Sequence, residues 1–324
     1  MVFNAENLFL LFHPEQTPPS KDLLNLDPTQ WRRLSTEVFE NKPIAKCRAI
    51  ADLILKADSD IVCLTEVGGA ESLNHFNQLF LDGKYSHCLI EGNSDRNIDV
   101  GFLLKKNHPF YFDLDTNKNF DIQFLYDSER KSLERGESLK ASAGHFTRDV
   151  AELKLFQSDR EKPFLVILLT HLKSRLDPER IDPNGFSKRQ AEMKALVQLT
   201  AEVEAKYPQR PFVICGDFNG NAGRSNTDRE FKIIYEQTKW DDVLEVDEIP
   251  QDQRATYFQI KNSGLTEGRQ IDFAFLNEVA KAYLKPKSSA VLRYLDEFGF
   301  PVTPPTSLEA KNELPSDHYP LVFE

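Results

Sequence analysis

Cysteine is scarce in this chain of 324 residues: there are four, Cys47, Cys63, Cys88 and Cys215, with no Cys-x-x-Cys spacing among them. That argues against a thiolate zinc site. Cys63 and Cys215 sit inside apolar, strand-like runs, where a free thiol acts as a small hydrophobe, so buried free thiols are expected rather than disulfides. Long hydrophobic stretches are missing as well. The longest apolar run, Phe164 to Leu169, is far too short to cross a bilayer, and no transmembrane segment is expected. A charged-then-apolar leader is absent too, because Met1-Val2-Phe3 already reads as the start of a strand. The expected compartment is cytoplasmic as the sequence stands, or secreted or periplasmic if a leader was removed. Finally, there is no surplus of positive charge: 40 Lys and Arg face 51 Asp and Glu, for a net −11. A protein that holds nucleic acid mainly by neutralising phosphates is usually basic, which argues against a non-specific DNA binder. A nuclease is not excluded, because carboxylates committed to bound cations inflate the acidic count.

Short apolar runs recur from end to end: Ile61 to Leu64, Val100 to Leu104, Phe164 to Leu169, Phe212 to Cys215, Ile271 to Leu276 and Leu321 to Phe323. Continuous runs of this length suit strands covered on both faces. Two stretches carry helical spacing, Ile44 to Lys56 and Ser187 to Lys206, and each feeds directly into a strand. Three polar stretches, His13 to Pro43, Asn117 to Ser142 and Arg293 to Pro315, read as loops. No linker divides the chain, so a single domain over 1–324 and a monomer are expected. Polar residues bracket the runs in a telling way. Glu66, His171 and Asp217 come just after strands, whereas Asp272 opens one and Asp317-His318 precedes the last. If all face one site, some strands run opposite to others. An all-parallel doubly wound sheet or a TIM barrel does not do this; mixed sheets with helices outside do.

The polar set is Asn4, Glu6, Glu66, His171, Asp217, Asn219, Asp272, Asp317 and His318. Oxygen donors with few imidazoles and no thiolates suit Mg²⁺ or Mn²⁺ rather than zinc. Asp217 and Asn219 alternate with Phe218, so both side chains leave the same face of an extended segment. A histidine beside an acid can take or give a proton near neutral pH. Taken singly, each residue also has an ordinary role as a turn cap, a solvated strand end or a satisfied core histidine.

Taken in order, Phe3-Asn4-Ala5-Glu6-Asn7-Leu8-Phe9, Cys63-Leu64-Thr65-Glu66, Thr170-His171-Leu172-Lys173-Ser174, Gly216-Asp217-Phe218-Asn219, Gln270-Ile271-Asp272-Phe273 and Ser316-Asp317-His318-Tyr319-Pro320 resemble the endonuclease/exonuclease/phosphatase superfamily, deoxyribonuclease-like members included. The resemblance implies an α/β fold, a four-layer α-β-β-α sandwich with two mixed β-sheets packed face to face. It implies that Glu66 is the main ligand of Mg²⁺ or Mn²⁺, assisted by Asn4, Glu6 and Asp317. Asp217 would activate the attacking water, and Asn219 would hold the phosphate and Asp217. Asp272 and Asp317 would orient His318, which would contact a non-bridging oxygen or take part in proton transfer. His171 would be the acid for the leaving oxygen. Arg148, Lys173 and Arg175 are further candidates for binding substrate phosphate.

Departures bear on substrate. Abasic-site endonucleases carry an aromatic-Val-Pro-Asn segment where this chain has His171-Leu172-Lys173-Ser174, and Trp-Arg ahead of the acid where it has Gly268-Arg269-Gln270-Ile271-Asp272. The pieces Arg96 to Val100 and His171 to Arg175 look more like bacterial nuclease-like members. The expected function is a metal-dependent phosphodiesterase with a phosphodiester substrate, nucleic acid first. A phosphatase or phospholipid or inositol-phosphate phosphoesterase of the same superfamily, and a catalytically silent binding module, stay open.

Overall fold

The computed structural model describes residues 1–13, 19–36, 38–157, 159–261 and 263–324. Within the expected loop His13 to Pro43, residues 14–18 and 37 lie outside the described residues.

The apolar runs become the strands of two six-stranded sheets. The first contains β1 (Val2–Leu8), β2 (Ile61–Val67), β3 (Tyr85–Leu89), β4 (Asp99–Lys105), β13 (Ala290–Val291) and β14 (Leu321–Val322), in the order β13-β14-β1-β2-β4-β3. The second contains β5 (Tyr111–Thr116), β6 (Val150–Phe156), β7 (Leu165–His171), β8 (Phe212–Asp217), β9 (Asp241–Asp242) and β12 (Asp272–Leu276), in the order β5-β6-β7-β8-β12-β9. A small hairpin, β10 (Tyr257–Ile260) with β11 (Thr266–Arg269), stands apart from both. Each large sheet has a parallel pair at its centre, β1 with β2 and β7 with β8, flanked by antiparallel neighbours. The mixed sheets required by the opposed positions of Asp217 and Asp272 are therefore present: β8 and β12 are antiparallel, with those two residues directly opposite.

The period-2 alternation of the strands sorts side chains into three apolar layers. Val2, Cys63, Val100, Phe102, Ile167, Leu169, Val213, Cys215, Ala274 and Leu276 pack between the two sheets. The opposite face of the first sheet packs on α1 (Pro28–Arg33), α2 (Ile44–Ala57) and α3 (Gly69–Phe80), through residues such as Phe3, Leu64, Trp31, Ile50 and Phe76. The outer face of the second sheet packs on α5 (Phe186–Lys206), through Leu168, Ile214, Phe273, Met193 and Leu196. Helix, sheet, sheet, helix is the four-layer arrangement expected from the resemblance.

The expected loops hold short helices. In the first, Asp27 caps α1 by accepting from Thr29 and Gln30 N–H while Gln30 reaches back, and Pro28 occupies the first turn. The second carries α4 (Asp127–Glu134), and the third carries a short helix at Leu308–Glu313 capped by Ser307. Too few apolar positions mark these helices for periodicity to reveal them. All four cysteines are free, and Cys47, Cys63 and Cys215 are buried. Among the described residues no helix is long and apolar enough to cross a membrane.

Candidate active site

The site grows out of the inter-sheet face. On β7, Ile167 and Leu169 point between the sheets, so His171 does too; on β8 the same register carries Val213, Cys215 and then Asp217. On β12, Leu276 and Ala274 lead back to Asp272, and on β1, Val2 leads to Asn4. At one end of the sandwich the apolar layer thus gives way to a polar row. His171, Asp217 and Asp272 are register neighbours across three strands, with exposures of 2%, 1% and 1%. From the other sheet Asn4 donates through Nδ2 to Asp217 Oδ2 at 3.0 Å.

Local backbone geometry presents these groups. Gly216 has φ +129°, and a Cβ there would stand 1.9 Å from the Thr170 carbonyl oxygen on the neighbouring strand, so only glycine lets β7 and β8 close up beside Asp217. The β1–β2 ladder shifts register between Asn4 and Leu8, and the β2–β4 ladder shifts between Thr65 and Val67. The residues within these irregularities, Glu6 (φ +47°), Asn7 (φ +54°) and Glu66 (φ +60°), take left-handed conformations that side chains other than glycine disfavour. Asn7 N–H donates to Glu66 Oε2 at 3.1 Å and fixes that carboxylate. Thr256 Oγ1 accepts from both Ile271 and Asp272 N–H and anchors the entry of β12. Ser316 donates to the Asn4 carbonyl and accepts from His318 N–H, which ties the last turn to β1.

Two carboxylates placed directly opposite would repel, and His318 stands between them. Its Nδ1 is 2.8 Å from Asp272 Oδ2, while its Nε2 is 3.9 Å from Asp217 Oδ2 and 3.7 Å from Asp317 Oδ1. Burial works against the imidazolium, but Asp272 first, then Asp317 and Asp217, hold its pKa well above the usual histidine value. Asp217 is pushed up to about 7 by burial and by Asp272, with His318 opposing. Its Oδ1 accepts from Asn219 N–H at 2.7 Å, and the Asn219 amide donates to the Leu172 carbonyl at 3.1 Å. His171 behaves differently. Burial, then Arg148, His318 and Arg96, keep it well below 6.5, so it is neutral at pH 7; its Nε2 lies 3.5 Å from Asp217 and 3.9 Å from Glu66.

Glu6, Glu66 and Asp317 cluster beside this row, and their oxygens with Asn4 make a donor set suited to a hard divalent cation. Glu6 Oε2 is shielded from solvent and makes no hydrogen bond, though Lys42 and Lys46 approach it at 3.6 and 3.9 Å. Asp317 pairs with Lys311 at 3.1 Å; burial raises its pKa, but His318 and Lys311 outweigh that and hold it below the usual range. Glu66 has no Lys or Arg within 4 Å among the described residues. Asp217, Asp272 and His318 also bring ligand atoms within 4.8 Å of one another. An imidazolium has no lone pair to offer a cation, however, so that trio is better suited to holding a proton.

The remaining candidates divide. Arg148, 3% exposed, donates to the same Leu172 carbonyl that Asn219 uses. Lys173 lies beside it, its ammonium on the Ser174 and Leu176 carbonyls. Arg175 points away, bonded to Asp228 at 2.6 Å and to the Asn219 carbonyl. Sequence reasoning missed Glu192. It is fully buried on α5 and accepts from Thr147 N–H at 2.7 Å and Lys173 N–H at 2.6 Å, clamping the segments that carry Arg148 and Lys173. A charged residue on the apolar stripe of the helix was the available signal. Lys42 and Lys311 were missed as well, and nothing local marks them.

The family model for the endonuclease/exonuclease/phosphatase family matches residues 45–318. No curated protein matches the chain in sequence. Among solved structures, an endonuclease/exonuclease/phosphatase from Bacteroides vulgatus is similar with TM-score 0.53 and 16% identity, covering 99% of this chain and 95% of that one. Truncated TDP2 from Caenorhabditis elegans gives TM-score 0.52 and 15% identity, over 86% and 88%. TDP2 from D. rerio, complexed with a single-strand DNA product, gives 0.53 and 15%, over 85% and 88%. At these identities the likeness is one of fold. With the family match extending over most of the sequence, the chain belongs to the endonuclease/exonuclease/phosphatase family.

Proposed function

We propose that this protein is a divalent-metal-dependent phosphodiesterase of a single domain, acting on nucleic acid by in-line attack of water on phosphorus. The observation that carries the reading is the Asp217–His318–Asp272 row. A buried carboxyl with a pKa near 7 stands beside an imidazolium held by a second buried carboxylate, at the open end of a sheet sandwich.

Asp217 takes a proton from the attacking water, held in place by Asn4 Nδ2 and Asn219 N–H. His318 offers a charged donor to a non-bridging phosphoryl oxygen, and Asp272 fixes the ring and sustains its charge. On this reading the Asn219 side chain also contacts the phosphate. His171, being neutral, serves as a hydrogen-bond donor through Nε2 rather than as a source of a proton for the leaving oxygen. A divalent cation held by Glu66, with Asn4, Glu6 and Asp317, would polarise the phosphoryl group and neutralise charge on the leaving oxygen. Catalysis on this account is positional and electrostatic.

Nucleic acid is favoured as substrate by the arginines and lysines beside the row, Arg96, Arg148 and Lys173, and by the DNA product held by the D. rerio neighbour. The test is one panel at fixed salt: plasmid, single strands, an inositol polyphosphate and sphingomyelin, each with Mg²⁺, Mn²⁺ or EDTA. Cleavage of nucleic acid that stops in EDTA supports the proposal. Turnover confined to the inositol phosphate or the lipid would move the protein to another branch of the family, and no turnover at all would make it a binding module.

A further inference from the structure

Beside the catalytic row lies a cavity of about 470 Å³, roofed by α4 and by the segment 174–182. Its size is that of a site for one small organic ligand rather than a groove for a duplex. Five cations line it; Lys140 pairs with Asp95 and Glu179, and the other four are Arg96, Arg148, Lys173 and Lys188. None of the four has a carboxylate within 4 Å among the described residues; their recorded partners are neutral oxygens, of Asn7, Leu172, Ser174, Leu176 and Ser142. The acids around the same cavity keep their charge, and each is held by hydrogen bonds or by Lys140. Asp177 accepts from Ile181 and Asp182 N–H, and Asp182 accepts from Tyr126 OH and from Ser187 and Lys188 N–H. Glu129 accepts from Tyr126 N–H, while Asp95 and Glu179 pair with Lys140.

Four of the lining cations are therefore left without an ion pair, on a lining that balances five cations against five carboxylates. Arg148 is the clearest case: it is 3% exposed, and its Nε makes no hydrogen bond. Leaving such a group unpaired away from water costs free energy that an anion would recover. The Lys173 ammonium is held below its usual range by burial and then by Arg148, with Glu192 and Asp182 opposing. The lining also includes Tyr126, Leu139 and Ile181. Cations together with aromatic and aliphatic side chains suit a nucleoside phosphate, with the phosphate on the cations and the base on the apolar groups. An all-polar polyol phosphate leaves those apolar groups unused. The cavity also adjoins the catalytic row, since Arg148 and Asn219 share the Leu172 carbonyl and Arg96 holds Asn7, whose N–H fixes Glu66.

We propose that Arg96, Arg148, Lys173 and Lys188 form a second anion subsite that receives the phosphomonoester of a strand-end nucleotide whose neighbouring phosphodiester lies at Asp217. The inference rests on the phosphodiesterase reading and sharpens it: the enzyme works from a phosphorylated end.

The test compares p-nitrophenyl esters of thymidine 3′- and 5′-monophosphate with those of the corresponding 3′,5′-bisphosphates, in Mg²⁺ or Mn²⁺ at fixed salt. Charge-assisted hydrogen bonds to the extra phosphate are expected to raise kcat/KM about 10- to 100-fold for at least one isomer. Lys188→Met is expected to lower that ratio several-fold. Arg96→Gln, at an exposed position that does not threaten folding, is expected to lower it several-fold. Equal kcat/KM for mono- and bisphosphate esters, or a ratio unchanged in both variants, overturns the subsite while leaving the phosphodiesterase reading intact. Hydrolysis of none of the esters, nor of bis-p-nitrophenyl phosphate, would instead defeat the parent reading. A greater preference for an inositol polyphosphate than for the thymidine bisphosphates overturns the nucleotide assignment.

Discussion

Gly216→Ala tests how the strands deliver the site. The glycine sits at φ +129°, and an alanine Cβ there meets the Thr170 carbonyl oxygen at 1.9 Å, its carbon at 2.9 Å and the Thr170 nitrogen at 3.1 Å. Thr170 is the register partner of Gly216 in the parallel β7–β8 pair, so the obstacle is backbone and cannot swing aside. Relief requires the two strands to part by roughly 1 Å, immediately beside His171 and Asp217. The forbidden conformation costs about 1–3 kcal/mol. Forcing a methyl into a packed position costs about 1–3 kcal/mol more. A loss of about 2–6 kcal/mol in urea unfolding is expected, with about 10²-fold lower turnover, because a shift of that size misplaces the reacting groups. Gly83→Ala is the control, since Gly83 has φ +64° but nothing within 4 Å of its notional Cβ. It should cost about 1–2 kcal/mol for the backbone alone, with turnover intact. Equal losses in the two variants, or an active and stable Gly216→Ala protein, would refute the reasoning.

Three further outcomes are expected. Asp272→Asn removes the charge that most supports the His318 imidazolium; kcat should fall about 10²–10⁴-fold, and the imidazole pKa followed by NMR should drop. In EDTA, the Asp217 pKa of about 7 lies above its value in the unfolded chain, so the protonated form is favoured by folding. That contribution is complete below about pH 4 and is lost as pH rises through about 7. Asp217→Asn should therefore gain Tm relative to the parent protein between about pH 5 and pH 8, and a constant difference would contradict the burial account. Mg²⁺ or Mn²⁺ at about 100-fold over its Kd should stabilise the fold by about 2.7 kcal/mol in a thermal melt, and Glu66→Gln should lose most of that shift. An equal shift in the variant would move the cation away from Glu66.

Much of this arrangement was legible in the residues. The apolar runs ending at Glu66, His171 and Asp217, and those beginning at Asp272 and after His318, are strands, and their opposed polar ends required mixed sheets. What makes these runs legible is burial on both faces, which leaves an unbroken apolar signature that stops where the site begins. The rest was hidden for physical reasons. Lys311 comes from a short helix with little apolar content, and only the packing of that helix brings its ammonium to Asp317. Glu192 stands on the apolar stripe of its helix, which marks it as buried but not what it holds, and its role appears only when Thr147 and Lys173 arrive from elsewhere in the chain. The charge states of the two histidines were not readable either. His171 and His318 both follow the pattern of a site histidine, and burial lowers both; at His171 Arg148, His318 and Arg96 add to it, whereas at His318 three aspartates outweigh it, so their pKa values move in opposite directions.

The most direct measurement is turnover of bis-p-nitrophenyl phosphate by the parent protein and by Asp217→Asn, each with Mg²⁺ or Mn²⁺ and then with EDTA. The account predicts hydrolysis by the parent protein that disappears in EDTA, and a loss of at least about 10²–10⁴-fold in the variant, since the base is gone while the fold and the cation's ligands remain. Turnover of Asp217→Asn near that of the parent protein, or parent activity that survives EDTA, would contradict it.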